Sequence, residues 1–138
     1  MKHLKSRFLL VLAMIMTILS SVTAFAGSGI APHWDYLMMI TGHMEVTSYN
    51  SATVSVAVDS DAIDVDELRV TVKLQQFDGG WTNYKTWTET IKDSAAMFDK
   101  KAAIPKGYSY QIEVTAKAYK NGKFLESATE VFDYGFYQ

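Results

Sequence analysis

Between Tyr108 and Tyr119 the side chains alternate. Tyr108, Tyr110, Ile112, Val114, Ala116 and Ala118 fall on one side, and Ser109, Gln111, Glu113, Thr115 and Lys117 on the other. A period of two with one apolar face defines a half-buried strand. Leu68, Val70, Val72 and Leu74 alternate in the same way with Arg69, Thr71, Lys73 and Gln75, and Val54, Val56 and Val58 with Ser55 and Ala57. No long segment after the first 26 residues repeats at helical spacing, so the pattern predicts an all-β chain.

Turn signals divide the runs. Asn121-Gly122 suits the two positive-φ positions of a tight hairpin. Asp78-Gly79-Gly80 separates a strand ending at Phe77 from one starting at Trp81, and Ile104-Pro105-Lys106-Gly107 leads into the Tyr-rich strand. The predicted strands cover about 37–49, 53–59, 68–77, 81–91, 95–103, 108–119 and 123–132. Seven short antiparallel strands predict an immunoglobulin-like β-sandwich. A Cys-Trp-Cys framework is missing, which excludes an antibody-type domain. Tyr108 or Tyr110 falls where such sandwiches place a tyrosine whose phenol bonds back to upstream backbone. The aromatic tail from Tyr134 to Gln138 is expected to pack loosely, as chain termini do.

The Asp-Gly-Gly-Trp hairpin, then Ile104-Pro105-Lys106-Gly107-Tyr108-Ser109-Tyr110-Gln111-Ile112-Glu113-Val114, then the Asn121-Gly122 turn, resemble the second half of a fibronectin type III domain. The first half fits that family less well, and the core Trp expected early in it is absent. From Trp34-Asp35-Tyr36-Leu37 to Phe132-Asp133-Tyr134 the chain also resembles a group of small secreted proteins of Gram-positive, clostridium-like bacteria classed as a domain of unknown function. That resemblance implies a β-sandwich at or outside the cell envelope. It carries no activity.

Lys2, Lys5 and Arg7, the apolar run Phe8 to Leu19 and Ala24-Phe25-Ala26 read as a secretory signal peptide over 1–26, cleaved to leave one domain over 27–138. An uncleaved anchor is the competing reading, because Phe8 to Ala26 could just span a bilayer. No second hydrophobic span follows. Removing three of 13 basic residues against 15 acidic ones leaves a mature charge of −5. That balance argues against nucleic acid or anionic lipid as a partner. Cysteine is absent, which rules out disulfide staples, thiol catalysis and Cys-ligated zinc.

Chemistry-bearing motifs are few. His33 and His43 are the mature histidines, with no His-Glu-x-x-His helix, nucleophile elbow or Gly-rich phosphate loop. A Ser-His-Asp triad is assembled in space and stays open, as does a hydrolase reading. Asp59, Asp61, Asp64, Asp66 and Glu67 form an acidic cluster that raises calcium, but it lacks the spacing of an EF-hand and is expected to be a solvated loop. No catalytic residue, metal or cofactor is assigned.

The remaining candidates lie in GGWTNYKTWTET. As one regular strand it would put Trp81, Asn83, Lys85, Trp87, Glu89 and Ile91 on one face and Tyr84 on the other. Neither face is cleanly apolar, so an edge strand is expected, with Lys85 and Lys92 blunting unwanted pairing. Trp81 and Trp87 would stand about 20 Å apart, too far to clamp one sugar ring. One reading makes them core; the other sets Trp87 with Tyr84 or Tyr119 in a shallow aromatic surface. The ligand-binding candidates are thus Trp81, Tyr84, Trp87 and Tyr119. Met38 and Met39 lie either in a doubly buried strand or on a flexible adhesive surface. The expected function is that of a secreted, non-enzymatic binding module of unknown ligand, with a cell-envelope glycan as one candidate, an assembly role toward another surface protein as the alternative and a hydrolase as the further alternative.

Overall fold

The computed structural model describes residues 33–138; the predicted leader over 1–26 lies outside them. Seven strands make up the unit from Trp34 to Gln138: β1 (Leu37–Ser48), β2 (Ser51–Ser60), β3 (Glu67–Phe77), β4 (Trp81–Ile91), β5 (Ala95–Ala103), β6 (Tyr108–Lys120) and β7 (Lys123–Tyr137). They pair antiparallel in two sheets, ordered β1-β2-β5 and β4-β3-β6-β7. This is the expected all-β sandwich. In constant immunoglobulin domains the fourth strand joins the first sheet. Here β4 pairs with β3 instead, which gives the three-plus-four division of a fibronectin type III-like sandwich.

The alternation read from the sequence is the burial pattern of the central strands. Ala52, Val54, Val56 and Val58 face inward from β2, Leu68 to Leu74 from β3, and Tyr110 to Ala118 from β6. Burial of this many β-branched and aliphatic groups at about 25 cal/mol per Å² supplies the main driving force without any disulfide. At Gly42 in β1 the missing side chain is itself a packing feature. An added Cβ would lie 2.7 Å from both Ile112 Cδ1 and Phe132 Cδ2, so β7 crosses β1 closely only because residue 42 is glycine.

The ends are tied by side chains. Tyr110, fully buried, donates its phenol hydrogen to the Pro105 carbonyl at 2.6 Å and accepts from Gln76 Nε2 at 3.0 Å, which resolves the Tyr108 or Tyr110 alternative. At the opposite end the Glu126 carboxylate accepts the backbone N–H groups of Asp35, Tyr36 and Leu37, fixing where β1 begins. The tail departs from expectation. β7 runs on to Tyr137 through a bulge at Tyr134 and the positive φ of Gly135, and remains paired with Tyr108. Gly107 donates to the Tyr137 carbonyl, and the Tyr137 hydroxyl engages both Asn50 N–H and Asn50 Oδ1. A terminus tied at three points does not fray.

Candidate functional site

The expected aromatic set is not assembled, and the cause is one extra residue. Along the β3–β4 ladder Leu74 pairs with Lys85 but Gln75 pairs with Asn83, so Tyr84 is a bulge. Alternation resets there. Trp87 stays opposite core residue Val72 and packs half-buried against the core. Trp81 instead shares the outer face with Phe77. Tyr84 turns toward the other sheet, donates its hydroxyl to the Ala103 carbonyl at 2.9 Å and meets the Tyr110 ring edge-on. Tyr119 sits at the far end of the sheet, two strands from β4, under the Arg69 guanidinium and beside Phe124. Of the four, Trp81 at 42% and Tyr84 at 40% stay exposed, Trp81 on the outer face and Tyr84 at the sheet edge, and β4 is the edge strand that was expected.

On that face the ladders bring together residues that the sequence reading left out. One cross-strand row runs Trp81, Phe77, Ser109, Phe136, with relative exposures of 42% for Trp81, 44% for Phe77 and 58% for Phe136. Trp81 and Phe77 pack edge to face, ring centroids 5.3 Å apart. Phe77 and Phe136 stand on strands two apart, about 9.5 Å, with the small Ser109 between them. The row thus sets the small Ser109 between two exposed phenylalanines, a gap we call the slot.

The next row is Asn83, Gln75, Gln111, Asp133. Gln75 Nε2 donates to Asn83 Oδ1 at 3.0 Å, and Gln111 Nε2 donates to Gln75 Oε1 at 2.7 Å. Asn83 and Gln111 each engage one group within the ladder and Gln75 engages both its Nε2 and its Oε1, which leaves the remaining N–H groups and lone pairs for solvent or a ligand. The chain of contacts also holds the rotamers, so less side-chain entropy is lost when a ligand docks. Beyond it Lys73 and Glu113 neutralise one another at 3.1 Å, followed by a row of Thr88, Thr71, Thr115 and Thr129. Asp133 is the single charge in the two rows nearest the slot, so the site is almost electroneutral.

The acidic cluster converges on no cation site, and no group of metal-ligating side chains occurs among the described residues. Asp61 Oδ1 accepts the N–H groups of Ile63 and Asp64, Asp66 accepts from Asn121 N–H, and the buried Glu67 pairs with Arg69 and Lys92. His33 is exposed ahead of β1. His43 lies in a row with Ser55 and Asp99, but Ser55 stands in the middle, whereas a triad needs the imidazole between nucleophile and carboxylate.

No family model and no curated protein matches the sequence. Among solved structures the chain is similar to β-glucuronidase of Bacteroides uniformis, at 18% identity and a TM-score of 0.46 over 68% of this chain and 13% of that one. Bacteroides uniformis β-glucuronidase 2 covalently bound to cyclophellitol-6-carboxylate aziridine gives a TM-score of 0.45 at the same identity and coverage. The chain thus spans a small part of those enzymes, and neither chemistry nor ligand transfers at that distance.

Proposed function

We propose that the protein is a secreted, non-enzymatic binding module that holds an uncharged, hydroxyl-rich glycan of the cell envelope on the outer face of β4-β3-β6-β7. The observation that carries this reading is the slot of Phe77, Ser109 and Phe136 beside the amide ladder of Asn83, Gln75 and Gln111. A pyranose ring presents apolar C–H faces and a rim of hydroxyls that both donate and accept. Aromatic carbon at about 4 Å on each side suits the faces. Planar amides with spare donors and acceptors suit the rim. The Asp133 carboxylate, the one charge of the two rows, disfavours a phosphate or sulfate polymer and leaves a neutral sugar.

The test is co-sedimentation with purified bacterial walls and titration with neutral soluble polysaccharides. Trp81→Ala or Phe77→Ala removes a stacking surface of about 1–1.5 kcal/mol, so roughly tenfold weaker binding is expected. Each truncation also removes the edge-to-face contact between the two rings, so folding stability should fall by about 0.5–1.5 kcal/mol with the sandwich still folded. Iodide should quench Trp81 in preference to the half-buried Trp34 and Trp87, and bound polysaccharide should protect it. Undiminished binding by a Trp81→Ala/Phe77→Ala double variant would remove the reading.

A further inference from the structure

The opposite face of the molecule, the outer side of β1-β2-β5, has a different design. Its central strand presents only small groups over most of its length: Ser51, Thr53, Ser55 and Ala57. Longer side chains flank them on both sides, forming two adjoining shallow depressions of about 340 and 350 Å³. Met97 stands at the rim with 85% of its surface exposed, and Met39 is exposed as well. Flexible thioethers left in water over a sheet of small side chains are a feature of contact surfaces.

The flanking charges are arranged row by row. One row reads Glu45, Thr53, Lys101 and the next His43, Ser55, Asp99, so the two rows carry acid and base on opposite edges. None of these four charged or titratable residues forms an ion pair within the described residues. Rotation by 180° about an axis parallel to β2, lying between two facing sheets, keeps each row in place and exchanges its edges. Glu45 then meets the Lys101 of a second copy, His43 meets its Asp99, and both contacts occur twice. Small residues fall on the axis, where Thr53, Ser55 and Ala57 let the sheets approach to about 10 Å. The two Met97 side chains fill the space above the paired Ala57 residues. An axis across the strands through the Ser55 row would instead set Asp99 against Asp99 and His43 against His43. Asp59, in an outer row of the face, is turned onto the N–H of its own Ser60, where two twisted sheets diverge.

We propose that the partner of this face is a second copy of the chain, packed sheet to sheet in an isologous dimer. The face measures about 14 by 30 Å from strand spacing and rise, which is small beside the roughly 800 Å² per partner of a standard interface. The dimer is therefore weak and reversible. The inference is independent of what the aromatic slot binds.

Sedimentation equilibrium of the mature chain between about 10 µM and 1 mM should show reversible dimerisation. Glu45→Lys and Lys101→Glu each place like charges in both symmetric contacts, so each variant alone should remain monomeric. An equimolar mixture of the two variants restores both pairs and should dimerise again. Because the chain has no cysteine, Ser55→Cys supplies a single thiol near the axis. A short bismaleimide should link it to its copy, while Thr71→Cys on the other sheet should give no dimer. Wild-type monomer throughout the range, dimerisation of both charge variants alone, or a mixture that stays monomeric would each overturn the proposal.

Discussion

The phenol of Tyr110 is held from two sides at the edge of the core. It gives a hydrogen to Pro105 O and takes one from Gln76 while the ring lies wholly in the core. Tyr110→Phe keeps the ring and strands both partners, which should cost about 1–3 kcal/mol in urea unfolding. Burial lifts the Tyr110 phenol above its ordinary value of 10.0; the Gln76 hydrogen bond opposes this, and nearby Tyr84, Tyr108 and Tyr137 add to it. The unfolded chain therefore ionises first. The contribution of Tyr110 is complete below about pH 10 and is lost as pH rises through the higher folded value. The stability gap between wild type and Tyr110→Phe should narrow as pH rises above about 10. A constant gap would mean that the buried phenol does not resist ionisation.

At the scale of elements, the last strand makes the clearest prediction. Truncation after Asp133 removes the Gly107–Tyr137 hydrogen bond, both Asn50 contacts and the ladder opposite Tyr108 and Tyr110. At about 1 kcal/mol for each net hydrogen bond, the loss should be on the order of 3 kcal/mol, read from the urea midpoint. An unchanged midpoint would describe a frayed end. This strand also shows where sequence reading fails. Val54 to Val58, Leu68 to Leu74 and Tyr108 to Ala118 are strictly alternating because each faces the core on one side only, and their strands were legible. Tyr134 to Gln138 reads as a tail because the bulge at Tyr134 and Gly135 interrupts the period. The bulge at Tyr84 did the same to the candidate site, sending Trp81 and Trp87 to opposite faces when unbroken alternation put them on one. Phe77 was within reach, since continuing the polar side of its strand past Arg69, Thr71, Lys73 and Gln75 ends on an aromatic. The partnership of Phe77 with Ser109 and Phe136 was not, because it depends on strand order.

For the whole molecule, the two faces imply a consequence that neither has alone. Packing through β1-β2-β5 turns the two aromatic slots away from each other, across four sheet layers spaced at about 10 Å. A dimer of that form is bivalent. Its slots cannot close on one short oligosaccharide, but they can engage separate polymer strands or distant stretches of one strand. Linking two weak sites in this way raises avidity by about 10²–10⁴ where geometry allows both to be filled. Wild-type protein should therefore increase the light scattering of a long polysaccharide that it binds, most steeply once its concentration supports dimers. Glu45→Lys and Lys101→Glu should keep the single-site affinity measured with a short oligosaccharide, because the slot lies on the other sheet, and should lose the scattering. A Trp81→Ala variant should lose both. Scattering that persists in the monomeric charge variants would separate the two faces functionally and leave polymer clustering to some other contact.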